Sequence, residues 1–111
     1  MKIAGIDIGT TSICGIILDT ESGKVLKSVT ENSNAFLREC KSFEKVQSVD
    51  KIIDKANAIL ESFEEAGIDA IGVTGQMHGI VYTDKDGNAV SPLYTWQDER
   101  GNEPYGNTTY A

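Results

Sequence analysis

Three short clusters in this chain combine residue types that handle polar ligands. The first is GIDIGTTSICG, Gly5 to Gly15, where one carboxylate, Asp7, stands between two isoleucines and is followed by Gly9, Thr10, Thr11 and Ser12. Glycine lets backbone amides approach a phosphate closely, the hydroxyls add donors, and a neighbouring carboxylate can hold Mg²⁺ through water. The same Asp-x-Gly-Thr pattern also makes an ordinary turn. The second cluster is TGQMHG, Thr74 to Gly79, in which the only histidine, His78, follows Gln76 and Met77. Gly75 and Gly79 open space around these three side chains, although a lone histidine is commonly a hydrogen-bonded structural residue. The third is YTWQDERG, Tyr94 to Gly101, with the only tryptophan, Trp96, beside Gln97, Asp98 and Arg100. An apolar or aromatic wall with a few converging polar groups suits a polyol, while an isolated tryptophan also serves as core.

These clusters need elements to hold them. Lys2 to Ile8 is short, β-branched and almost continuously apolar, as a strand covered on both faces would be. Ile13 to Leu18 and Val25 to Thr30 follow, separated by DTESGK, and the three runs predict an antiparallel meander. Asn32 to Ser42 loses the pattern and reads as a loop. Val46, Val49, Ile53, Ala56, Leu60 and Phe63 recur in steps of three and four and draw one stripe along a helix, widened by Ile52 and Ile59. Gly67 is placed to cap that helix, and IDAIGVTG returns to strand character, giving a crossover helix and a parallel strand. The second cluster then lies beyond the carboxyl end of a parallel strand, where ligands collect in α/β sheets. GIVYTDKDGNAV predicts a hairpin around Asp86 and Gly87, and Pro92 confines any later strand to an edge or an end. The closing segment, DERGNEPYGNTTYA, completes no periodic element.

At 111 residues the chain is long enough for one modest core, and the expected fold class is α/β with a mixed sheet. One amphipathic helix leaves a face of a sheet of about five strands poorly covered, so the chain reads as cut short, and an uncovered face leaves room for a homodimer. A formal net charge of -7 disfavours nucleic acid or an anionic membrane surface as the main partner. Cys14 and Cys40 have no metal-like spacing, and the chain runs from Met1-Lys2 straight into a strand without a signal-peptide pattern, which points to free thiols in a reducing cytoplasm.

Taken together, the three clusters resemble the amino-terminal part of the FGGY carbohydrate kinases, within the ribonuclease H-like superfamily of actin, hexokinase and the Hsp70 ATPase. GIDIGTTS looks like the family's first phosphate loop, TGQMHG resembles the sugar-site motif of its ketose kinases, and TWQDER is similar to its Trp-x-Asp-x-Arg segment. TGQMHGIV with SPLYTWQDERGN looks most like the sedoheptulokinases, with xylulokinase-like members next. The resemblance implies transfer of the ATP γ-phosphoryl group to a terminal ketose hydroxyl with Mg²⁺. Asp7 would then face the metal, Gly9, Thr10, Thr11 and Ser12 would form the phosphate loop, and Gln76, Met77 and His78 would border the sugar. Trp96, Asp98 and Arg100 would shape or close that pocket. Many relatives carry a basic residue where this chain has Cys14, so a direct charge contact to phosphate would be absent or come from elsewhere. The family's catalytic base is a downstream aspartate and its adenine site lies mainly in a carboxyl-terminal domain, so these 111 residues are expected to supply part of a site and to be inactive alone. A non-catalytic nucleotide switch of the actin or Hsp70 kind shares the phosphate loop but has no need of the two sugar-site motifs.

Overall fold

The computed structural model describes residues 1–38 and 41–109, so the expectation of a free thiol at Cys40 lies outside the described residues. The chain divides into two compact units, one of Met1–Asn34 with Asp50–Gln76 and one of Ala35–Val49 with Met77–Ala111. The first is built on a four-stranded sheet of β1 (Lys2–Ile8), β2 (Ser12–Asp19), β3 (Lys24–Asn32) and β5 (Ala70–Gly75) in the order β3-β2-β1-β5. β1, β2 and β3 form the expected antiparallel meander, and β5 runs parallel to β1.

Helix α1 (Val49–Glu61) packs on one face only. It presents Ile52, Ala56 and Ile59, joined by Phe63 beyond its end, to Ala4, Ile6, Ile13 and Ile17 of the sheet; all eight are buried. The buried stripe is therefore centred on Ile52 and Ile59, while Ile53 is half-exposed and Val46 belongs to a strand that precedes the helix. A 100° step per residue explains this: Ile52, Ala56, Ile59 and Phe63 follow one line more closely than a stripe through Ile53. Gly15 sits where the helix approaches the sheet most closely; a Cβ there would lie 2.5 Å from Ile59 and 3.1 Å from the Phe63 ring. Glu64–Ala66 continue as a 3₁₀ turn, which Gly67 caps at φ 71° by donating its N–H to the Glu64 carbonyl.

The opposite face of β1 is not covered as the continuous apolar run predicts. Gly5 is half-exposed and Asp7 exposed, because the described residues carry one helix layer against this sheet. On the edge strand β5, Ile71 and Val73 align with Ala4 and Ile6 but remain 54 % and 67 % exposed, since α1 does not extend over them.

The second unit holds short pairings around Val46–Gln47 (β4) and Leu93–Tyr94 (β6). Gln47 also bridges Phe36 within the stretch expected to be a loop, and Tyr94 bridges Ile80. Buried Ala35, Val46, Gln47 and Thr95 form its small core. The expected hairpin at Asp86-Gly87 closes through a bridge between Thr83 and Ala89, with Gly87 at φ 84°. The closing segment, expected to complete no element, instead forms a 3₁₀ turn at Arg100–Asn102 and a hairpin of β7 (Pro104–Tyr105) and β8 (Thr108–Thr109), turned by Gly106 at φ 61°. Glycine at that turn supplies the left-handed residue that periodicity does not register. Among the described residues, no helix is long and apolar enough to cross a membrane.

Candidate functional site

The turn from β1 into β2 carries the first cluster. Gly9 donates its N–H to the Ser12 carbonyl at 2.9 Å, and a Cβ at Gly9 would stand 2.8 Å from that same oxygen, so this closure requires glycine. The Thr11 carbonyl accepts both the backbone N–H and the hydroxyl of buried Ser33, at 2.9 and 3.1 Å, which ties the turn to the end of the meander. Thr10 donates its hydroxyl to Oε1 of Gln76 at 3.2 Å, and the Gln76 N–H donates to the Ile8 carbonyl at 2.9 Å. The glycine-threonine turn and the first residue after β5 are thus joined at one end of the sheet.

Asp7 sits on the uncovered face. Strand register places it beside Thr74 on one side and Cys14 on the other, and Cys14 in turn lies opposite Thr30, whose hydroxyl donates to its Sγ at 3.3 Å. The result is a polar row, Thr74, Asp7, Cys14, Thr30, crossing all four strands beside a shallow concavity that Gly5, Ile16 and Gly72 help to line. Cys14 is a free thiol there. Among the described residues, no group of three or more histidine, cysteine or acidic side chains could cage a metal. A lone exposed carboxylate fits Mg²⁺ instead, which keeps several waters and shares its remaining ligands with substrate phosphates.

Beyond β5 the chain changes direction at His78, which holds φ 59°, a left-handed conformation uncommon outside glycine though less so for asparagine, aspartate and histidine. Gly79 follows, where a Cβ would meet Leu93 at 2.9 Å, so both residues are constrained by the turn. Met77 is 72 % exposed. In the second unit, His78, Trp96, Asp98 and Arg100 come together around one cleft of about 410 Å³, shared with Tyr82 and Tyr94. Tyr82 and Tyr94 meet edge to face at 6.2 Å, and the Arg100 guanidinium lies 4.3 Å from the Tyr94 ring centre.

Asp98 anchors this arrangement. Its Oδ1 accepts from Arg100 Nε at 2.7 Å and from the Arg100 N–H at 3.1 Å, while Oδ2 accepts from Arg100 Nη2 at 2.9 Å and from the Lys45 N–H at 3.0 Å. The Arg100 guanidinium hydrogen bonds lower the Asp98 pKa to about 2, with the two backbone N–H donors assisting against burial, and the same pair raises that of Arg100. Thr95 adds a bond from its hydroxyl to the Lys45 carbonyl at 2.8 Å.

The three clusters therefore contribute differently. Gly9, Thr10 and Gln76 share one end of the sheet, Asp7 joins a polar row on the open face, and His78, Trp96, Asp98 and Arg100 line a cleft. Tyr82 and Tyr94 were not singled out from sequence, though both lie within or beside quoted motifs. Thr30 could be found only once the register of β3 against β2 was known, and Thr74, which opens the second motif, is set beside Asp7 only by the register of β5 against β1.

A mixed sheet of this order, with a crossover helix and a glycine-threonine turn between its first two strands, defines the actin- and hexokinase-like ATPase fold. Residues 2–107 match the N-terminal domain of the FGGY family of carbohydrate kinases, and the chain belongs to that family. It is similar to the xylulose kinase of Staphylococcus xylosus, with 28% identity over 100 residues that make up 88% of this chain and 20% of that protein. Among solved structures, the ligand-bound xylulose kinase from Lactobacillus acidophilus aligns with a TM-score of 0.76 at 27% identity, covering 87% of this chain and 20% of that one. A gluconate kinase from the same species aligns with a TM-score of 0.75 at 27% identity, again over 87% and 20%. The chain thus spans about a fifth of the length of the relatives it matches.

Proposed function

We propose that this chain supplies the amino-terminal part of the catalytic cleft of an ATP-dependent kinase that phosphorylates a terminal hydroxyl of a ketose, of the xylulose or sedoheptulose type. The observation that carries this is the hydrogen bond from Thr10 to Gln76. It ties a glycine-threonine turn suited to phosphate to the residue that leads directly into Met77 and His78, so donor and acceptor motifs start from one sheet end. Phosphoryl transfer asks mainly for such positioning and for neutralised charge.

In this scheme the backbone of Gly9 to Ser12 and the two threonine hydroxyls bind phosphate oxygens. Asp7 is the residue that would hold Mg²⁺, which when bound neutralises charge on the phosphates. Gln76, Met77 and His78 border the sugar, and Trp96 with the two tyrosines forms a wall against its carbon skeleton. The attacking hydroxyl must lose its proton to an aspartate that these 111 residues do not supply; Asp7, beside the phosphate loop, is better suited to the metal than to that role. Likeness to xylulose kinases favours a xylulose-type substrate, while the equal likeness to a gluconate kinase means that the shared fold alone does not choose the sugar.

The test is ADP release by the full-length kinase containing this chain, with Mg-ATP and each of D-xylulose, sedoheptulose, D-gluconate and glycerol. Ketose-dependent turnover is expected. ATP binding without phosphorylation of any of the four would instead favour a nucleotide-binding module.

A further inference from the structure

The resemblance implies that Asp98 and Arg100 shape or close the sugar pocket. Their geometry speaks against a direct grip on the sugar. The Asp98 side chain is only 4 % exposed, and its two oxygens already accept four hydrogen bonds from protein donors. Arg100, at 42 % side-chain exposure, spends Nε and Nη2 on that carboxylate and lies over Tyr94, so the fork that would grip a ligand carboxylate is occupied. Among the described residues it is also the one lysine or arginine lining the cleft, and its charge is matched at 2.7 Å. What remains open to a ligand is an aromatic wall of Tyr82, Tyr94 and Trp96 with His78.

We propose that Asp98 is a positioning residue that holds Arg100 over the Tyr94 ring and cancels its charge, so that the cleft takes an uncharged polyol in preference to a sugar acid. This rests on the kinase function proposed above. A sugar acid would have to compete with Asp98 for the guanidinium while facing the buried carboxylate itself, and like charges brought together oppose binding. An uncharged polyol meets neither penalty and can stack its C–H faces on the rings.

The experiment compares kcat/KM for D-xylulose and D-gluconate in the full-length kinase, as wild type, D98N and R100K. In D98N the guanidinium is no longer neutralised, and the xylulose-to-gluconate ratio should fall by about tenfold. R100K keeps the cation but loses the bidentate grip, so the ratio should fall in the same direction, by about threefold, which decides the matter if D98N does not fold. A merely structural role would lower both substrates by the same factor, and an unchanged ratio in a folded variant overturns the proposal while leaving the kinase function standing. Turnover of neither sugar by the wild type overturns this proposal, and the kinase function falls with it only if sedoheptulose and glycerol also give no ADP release.

Discussion

Asp98 and His78 illustrate how much a single residue's surroundings decide. A carboxyl that titrates near 3.8 when free and at about 2 in the fold stabilises the native state fully above pH 4 and loses that contribution as pH falls through about 2. Arg100 is partly solvated, which screens the pair, so the increment expected is about 1 kcal/mol. Urea unfolding of the wild type should therefore lose about 0.6 kcal/mol more between pH 5 and pH 2.5 than that of Asp98→Asn, the remainder going below pH 2.5. Equal pH dependence in the two proteins would contradict the assignment. His78 lines the cleft in the same unit, and His78→Ala in the full-length kinase is expected to raise the ketose KM by about tenfold while leaving the Mg-ATP KM nearly unchanged. Asp7→Asn should do the reverse: kcat falls at least about tenfold through the metal, and full turnover with Mg²⁺ would remove Asp7 from that role.

At the scale of elements, the contact between α1 and β2 is the most demanding feature of the first unit. Gly15 has no side chain because Ile59 and Phe63, both almost fully buried, occupy the place where one would go. Gly15→Ala must push the helix away or force a poor rotamer on Ile59, and overpacking of this kind costs about 1–3 kcal/mol. A lowered urea midpoint with an unchanged slope is the expected signature, because the fold survives and only its stability drops. The same contact accounts for the carboxyl-terminal end of the helical stripe: Ile59 and, just beyond the helix, Phe63 are the positions that face the glycine.

For the molecule as a whole, the covered and uncovered faces of the sheet divide the work. One face is filled by α1 and contributes the core, whereas the other exposes the row from Thr74 to Thr30 and leaves Asp7 accessible. Because the chain spans about a fifth of its relatives' length, the purified 111-residue polypeptide is expected to give no ketose-dependent ADP release with Mg-ATP. Turnover by this polypeptide alone would mean that the proton acceptor lies among these residues after all.

The meander, the helix, the parallel strand and the three motifs were legible in the sequence because each rests on local information: apolar periodicity, turn residues and short fixed spacings. The paired strands β4 and β6 and the closing hairpin were not, since two-residue pairings carry too little periodicity to stand out from a polar loop. Strand β1 looked covered on both faces because Ile3, Ala4, Ile6 and Ile8 make a nearly continuous apolar run, but coverage depends on how many helices pack, which no single strand encodes. Only the tertiary structure joined Thr10 to Gln76 across 66 positions, aligned Asp7 with Cys14 and Thr74, and turned Asp98 inward onto Arg100. Such relations arise from register and from where a buried carboxylate finds its donors, and both are properties of the packed chain rather than of any stretch of it.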